Sequence, residues 1–253
     1  MVLSKAVGWP LNDSAAATLG EDTAMTPFPD KAMYIDIHTH RPVTDAEVIA
    51  IESIDVPDYI RCCGFDLTKR FSLGIHPWTA KEQLLSENLR FIEENAVYDC
   101  IKAIGECGLD KLTATDWELQ MRAFRSQAVI GEKVQKPLII HCVKAQDELL
   151  AIKKEIEPKQ AWIFHGFRGK PQQMEQLIDH GLYLSFGPLY NEETLRQTPL
   201  DRFFLDTDNK DATIRQVYKL VAETLQMNEE ELIRRMEENY NKVSSMSHPN
   251  CSG

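Results

Sequence analysis

Nowhere in the 253-residue sequence is there an apolar run approaching the roughly 20 residues a membrane span needs. The opening stretch, MVLSKAVGWPLNDSAAATLG, has one early lysine but no continuous apolar core, so it does not read as a secretory signal. Cysteine is sparse. The six, Cys62, Cys63, Cys100, Cys107, Cys142 and Cys251, follow no zinc-finger or disulfide-framework spacing, and a chain this long needs no staples. A reduced, cytoplasmic location is therefore the default expectation. Positive charge is also in deficit: 28 Lys and Arg face 39 Asp and Glu, for a formal net charge of −11. That balance disfavours broad phosphate contacts with duplex nucleic acid. A nucleic-acid substrate would have to be held locally, by a few groups.

What is present suffices for a sizeable core, since 43% of the residues are hydrophobic and 26% charged. Residues 1–32 are small and polar with neither helical nor strand period, and read as a loose N-terminal extension. Ordered structure is expected from Met33, with one domain over 33–245 and a flexible tail over 246–253. Within that domain eight short apolar or alternating runs read as strands: 34–38, 48–53, 71–75, 101–106, 137–141, 161–165, 182–186 and 202–206. Helical periodicity lies over 81–95, 116–134, 145–156, 171–179 and 213–226. A last amphipathic stretch, 228–243, opens with Asn228 in an N-cap position followed by three Glu. Alternating strands and helices imply a parallel sheet, and eight units imply closure into a (β/α)8 TIM-type barrel. Only HRPVTDAE separates the first two strands, and residues 55–70 are poor in helical period. One or two of the first crossover helices should therefore be shortened or missing.

The residues able to bind metal fall at the ends of these strands. His38 and His40 close the first strand as Asp-Ile-His-Thr-His, and a period of two puts Asp36, His38 and His40 on one face, with Ile35, Ile37 and Thr39 on the other. Glu106 ends the fourth strand, His141 the fifth, His165 the sixth, and Asp208 follows the eighth. In a parallel barrel all strand C-termini gather on one rim, where active sites are built. Six such ligands exceed what one tetrahedral catalytic metal takes, but suit two metals with a bridging carboxylate. Glu106, midway in the strand order, is the natural bridge. A lone histidine at a strand end is more often an ordinary loop residue; the convergence of all six carries the argument. His180, before Gly181 at a helix end, reads as structural, and His248 lies in the polar tail. Cys107 and Cys142 each follow a ligand by one position, so the pleat aims them toward the helices as small hydrophobes.

With that pattern in view, the chain resembles the TatD family of metal-dependent hydrolases within the amidohydrolase-like superfamily. The resemblance runs from Tyr34 to about Val243 on the motifs IDIHTH, GIHPW, IGECGLD, PLIIHC, FHGF, YLSFGP and LDTD, in the family's order. It implies that His38, His40 and Asp208 hold a first metal, His141 and His165 a second, and Glu106 bridges them. It also implies that His76 lies close to substrate and that Asp206, one pleat below Asp208, orients a ligand or water. The departures lie on the rim. Val143 and Lys144 follow the fifth-strand histidine where the family often has Arg, and Gly166, Phe167 and Arg168 replace its Cys-Phe-Ser. Lys210 replaces its Pro. These bear on substrate identity more than on chemistry.

The reaction this resemblance implies is hydrolysis by a water that one or two divalent ions (Zn, Mn, Mg or Co) activate. Asp208 and Glu106 are the expected catalytic residues, with Asp208 as general base. Family members are described as nucleases, so the leading substrate is a DNA phosphodiester at a single-stranded end. His76, Lys144 and Arg168 are the candidate substrate contacts, with Lys170 a further rim charge. Two alternatives remain open: hydrolysis of a small ester, amide or lactone, and a barrel retained as a non-catalytic metal-binding module. No membrane or obligate protein partner is expected.

Overall fold

The computed structural model describes residues 32–59 and 65–246. The expectations for the N-terminal extension and the flexible tail fall on residues outside these. Eight parallel strands follow one another around the sheet in chain order: β1 (Tyr34–Thr39), β2 (Val48–Asp55), β3 (Phe71–Gly74), β4 (Ile101–Asp110), β5 (Leu138–Val143), β6 (Trp162–Phe164), β7 (Tyr183–Phe186) and β8 (Phe203–Leu205). The helices are α1 (Val56–Tyr59), α2 (Leu85–Asn95), α3 (Trp117–Val134), α4 (Gln146–Ile156), α5 (Pro171–Asp179), α6 (Glu192–Gln197), α7 (Ile214–Leu225) and α8 (Glu229–Met246). No described helix is long and apolar enough to cross a membrane. All eight expected strands form. As expected, no helix links β1 to β2, and only the four-residue α1 is described between β2 and β3. The six-residue α6 was not expected, being too short to show a helical period.

Helix ends follow from local chemistry. Asp116 caps α3 by accepting from the Leu119 N–H at 2.9 Å, and Thr213 and Gln216 form a reciprocal capping box on α7. Asn228 accepts from the Glu230 N–H at the start of α8, as its position in the sequence suggests. His180 ends α5 and faces the Gln176 carbonyl at 2.8 Å through Nδ1, consistent with a structural role.

Two apolar layers hold the sheet. Phe124 and Trp162, with ring centroids 5.4 Å apart, belong to the outer layer between strands and helices. The inner layer takes Ile37, Ile51, Ala103, Ile139, Ile163, Tyr183 and Phe204, contributed by every strand except β3, with Val243 of α8. Each Ile or Phe so buried stabilises the barrel by about 1.5–3 kcal/mol. Ile139 precedes His141 by two residues and Ile163 precedes His165 by two. The pleat therefore sets an apolar plug below and imidazoles above on one face.

In β4 the period alone would deliver the wrong residue. Counting by two from the inward Ala103 reaches Gly105, not Glu106. Between Ile104 and Cys107 the register slips: three steps on β4 match two on β5, a bulge that reverses parity and turns Glu106 inward. Gly105, at φ 147°, makes this possible, since a Cβ there would lie 2.4 Å from the Ile139 carbonyl oxygen. Cys107 then lies fully buried in the outer layer, as its position after a ligand suggested. A similar slip between Asp36 and Thr39 interrupts β1, so strict alternation fails there. Ile37 joins the inner layer, contrary to expectation, and Asp36 turns its carboxylate to the Thr207 N–H and hydroxyl at 3.1 and 2.8 Å.

β1 and β8 meet through the site residues themselves. Thr39 and Asp208 form a parallel bridge, with His40 N–H donating to the Asp208 carbonyl at 3.1 Å and Asp208 N–H to the His38 carbonyl at 3.0 Å.

Candidate metal centre

Five imidazoles surround the Glu106 carboxylate. Oε1 lies 2.7 Å from His165 Nε2, 2.9 Å from His141 Nδ1 and 3.1 Å from His76 Nε2. Oε2 lies 3.0 Å from His40 Nε2 and 3.2 Å from His38 Nε2. Asp208 Oδ1 stands 3.6 Å from His40 Nε2 and 3.8 Å from His38 Nε2. All six sequence-derived ligand candidates therefore converge, and His76 joins them. Glu106, His38 and His165 are buried, whereas His40 and Asp208 open toward a cleft of about 850 Å³.

Burial alone would push the Glu106 carboxyl up, but the His165 and His38 imidazoles and the hydrogen bond from His165 hold it well below the usual range. For His165 burial opposes the charged ring, yet the Glu106 carboxylate prevails and raises it to about 9. Burial, and then the neighbouring His165, lowers His38.

Hydrogen bonding tells which nitrogens could bind a cation. The Trp78 backbone N–H donates to His76 Nδ1 at 3.1 Å, so neutral His76 carries its proton on Nε2 and faces Glu106 as a donor. His141 is the reverse case. Its Nε2 meets Asp110 Oδ2 at 3.1 Å and donates there, which aims the Nδ1 lone pair at Glu106, another acceptor. Both nitrogens of the fully buried His38 lack a hydrogen-bond partner, although Nε2 faces two carboxylates. Acceptors turned toward one another in a buried place are costly unless a cation lies between them. Among the described residues, three groups have ligand atoms within 4.8 Å of one another: His38 with Glu106 and His165, His38 with His40 and Asp208, and His76 with Glu106 and His141. The first two fit a divalent ion through nitrogen and carboxylate donors. In the third, His76 faces Glu106 as a donor, so the lone pairs turned to one another there are those of His141 and Glu106.

Asp206 sits below the cluster, where its Oδ2 accepts from the Gly166 N–H at 2.9 Å and from the Ser185 hydroxyl, fixing the turn that follows His165. Lys144 and Arg168 line the cleft and are exposed; Lys170 is not among its lining residues. Lys144 and Asp208 both hold left-handed backbone conformations, at φ 53° and 51°, unusual for residues other than glycine.

Sequence reasoning missed Asp110 and Trp78. The expected fourth strand stopped at Glu106, whereas β4 runs on to Asp110, four residues further and on the same face. The signal was available as the next charged residue in an otherwise apolar run. Buried Asp110 accepts from Trp78 Nε1 at 2.6 Å, His141 Nε2 at 3.1 Å and Leu112 N at 2.7 Å. Burial favours its neutral form, but these donors together hold its pKa below the ordinary value. Asparagine would offer one acceptor oxygen in place of two and turn an amide donor toward another donor. Asp110→Asn is expected to weaken metal binding about 10–100-fold, measured by titration against a competing chelator. Unchanged affinity would show that Asp110 does not orient His141.

A sequence profile described as TatD related DNase matches residues 63–245. That span holds Glu106, His141, His165 and Asp208, while His38 and His40 precede it. Metal-dependent hydrolase YabD of Bacillus subtilis is 27% identical over 217 residues, 77% of this chain and 81% of that protein. The 3′-5′ ssDNA/RNA exonuclease TatD of Citrobacter koseri is 32% identical over 146 residues, covering 53% of this chain and 55% of that one. Among solved structures, YJJV, a TatD homolog from Escherichia coli, superposes with a TM-score of 0.71 at 20% identity, over 83% of this chain and 97% of that one.

Proposed function

Because the chain belongs to the TatD family of metal-dependent hydrolases, we propose that it hydrolyses phosphodiester bonds in DNA at a single-stranded end. The observation that carries this reading is the convergence of His38, His40, His141, His165 and Asp208 around Glu106, at the floor of a cleft lined by Lys144 and Arg168. The exonuclease name of the Citrobacter relative supports the substrate class.

His38, His40 and Asp208 would hold one divalent ion, His141 and His165 a second, and Glu106 would bridge. Ions bound there supply Lewis-acid activation of water and offset charge on the phosphoryl oxygens. Zn²⁺, Mn²⁺ or Co²⁺ suit the nitrogen-rich donors better than Mg²⁺. Asp208, at the cleft edge of the cluster, accepts the proton of the attacking water and returns it to the leaving oxygen. Its place is fixed by the backbone bonds to His38 and His40 across the β1–β8 seam. His76 Nε2–H donates to a phosphoryl oxygen, in the tautomer set by the Trp78 N–H. Lys144 and Arg168 contact neighbouring phosphates. A cytoplasmic location agrees with the free thiols of Cys100, Cys107 and Cys142, the three cysteines among the described residues.

His141→Ala and Asp208→Ala are each expected to abolish cleavage of end-labelled single-stranded DNA while circular dichroism stays unchanged. Turnover in either folded variant would remove that residue from the centre. Lys144→Ala should weaken DNA binding more at low than at high salt, because an exposed phosphate contact is screened by added ions. A salt-independent loss, or none, would place Lys144 outside the binding path. The second reading, a small ester, amide or lactone, draws on the net charge of −11. It is favoured if metal binds but no nucleic acid is cut.

A further inference from the structure

Trp78 is 61% exposed, yet it is tethered. Its indole N–H is held by buried Asp110 at 2.6 Å, its backbone N–H by His76 at 3.1 Å, and its carbonyl accepts from the Thr115 hydroxyl at 3.4 Å. The His76 and His141 rings meet it nearly edge-on, with centroids 4.9 and 5.6 Å away and interplanar angles of 83° and 78°. Neither imidazole lies flat on the indole, and the residue lines the same cleft as Glu106 and Asp208. A large aromatic left open to water forgoes the gain of burial. One that is already immobilised loses little further freedom when something stacks on it.

We propose that Trp78 is the stacking platform for the substrate nucleobase beside the scissile phosphodiester; this deepens, and rests on, the nuclease reading. Asp110 ties the platform to the reacting centre, because one carboxylate oxygen receives both the indole N–H and His141 Nε2, whose other nitrogen faces Glu106. A base lying on the indole is thereby placed in register with the cluster. Stacking reads the flat face that every base has, so the platform favours a base over none without selecting among bases. It therefore acts as a positioning residue.

The test compares two single-stranded oligodeoxynucleotides that differ only in a base or an abasic residue beside the cleaved bond. A stacked base contributes roughly 5- to 160-fold. The wild-type rate ratio should lie in that range, fall toward one in Trp78→Leu, and be partly kept in Trp78→Phe. The same ratio in wild type and Trp78→Leu would overturn the proposal while leaving the nuclease reading intact. So would equal loss on both substrates, which would assign Trp78 to holding Asp110 instead. Tryptophan fluorescence of the zinc-loaded full-length chain gives a readout independent of turnover. Quenching by 5′-dAMP, absent with deoxyribose 5-phosphate and absent in Trp78→Leu, supports the platform even if no DNA is cut. Absence of quenching in the wild type overturns it.

Discussion

Glu106→Gln is expected to yield a folded barrel that binds metal at least ~100-fold more weakly and turns over substrate on the order of a thousand-fold more slowly. The substitution keeps size and shape but removes the charge on which five imidazoles converge, with nitrogen-to-oxygen distances of 2.7 to 3.2 Å. A glutamine amide can donate to two of the imidazole lone pairs. Two of the nitrogens facing it are then satisfied and the fold survives, but the bridge between two cations is lost. Glu106 is ionised at neutral pH, since the surrounding imidazoles outweigh the burial that would neutralise it. The lost charge is therefore one the wild-type protein has. Elemental analysis and saturation kinetics on the purified variant check both parts. Two metals per chain with wild-type turnover would contradict the bridging role.

Stripping metal is expected to lower the thermal midpoint by roughly 5–11 °C relative to protein at about 100-fold excess metal over its dissociation constant. Ligand that binds only the folded state stabilises it by about 2.7 kcal/mol at that excess. A domain of this size gains about 2–4 °C per kcal/mol. In the metal-free state His38 keeps two buried nitrogens without partners, and the Glu106 carboxylate is balanced by holding His165 protonated up to about 9. A metal ion must displace that proton, so the increment should grow as pH rises from about 5 to 8. Melting curves with chelator, and after adding back Zn²⁺ or Mn²⁺, measure it. A midpoint indifferent to both would mean that the cluster does not bind metal in the folded chain.

The barrel was legible because each strand is an apolar run ending in a polar residue, and because helical period separates most of the runs. The site was legible for the same reason. His141, His165 and Glu106 break apolar runs at the end where a parallel barrel gathers its loops. The bulges were not. In IGECGLD the residues around Glu106 are apolar or glycine, and nothing in their order says that Glu106 rather than Gly105 turns inward. Nor did the sequence show which nitrogen of each histidine is free. His141 owes its tautomer to Asp110, 31 positions away, and Asp110 also binds Trp78, 32 positions away. Such pairings arise only when the C-terminal ends of β3, β4 and β5 are brought to one rim.

The most direct test is a chelate-and-restore assay on 5′- and 3′-labelled single-stranded DNA, with metal content measured on the same samples. A two-ion hydrolytic centre at Glu106 predicts near two metals per chain, cleavage that disappears with the metal, and recovery on adding Mn²⁺ or Zn²⁺. Cleavage that persists after the metal is gone, or a folded chain that takes up none, would contradict it.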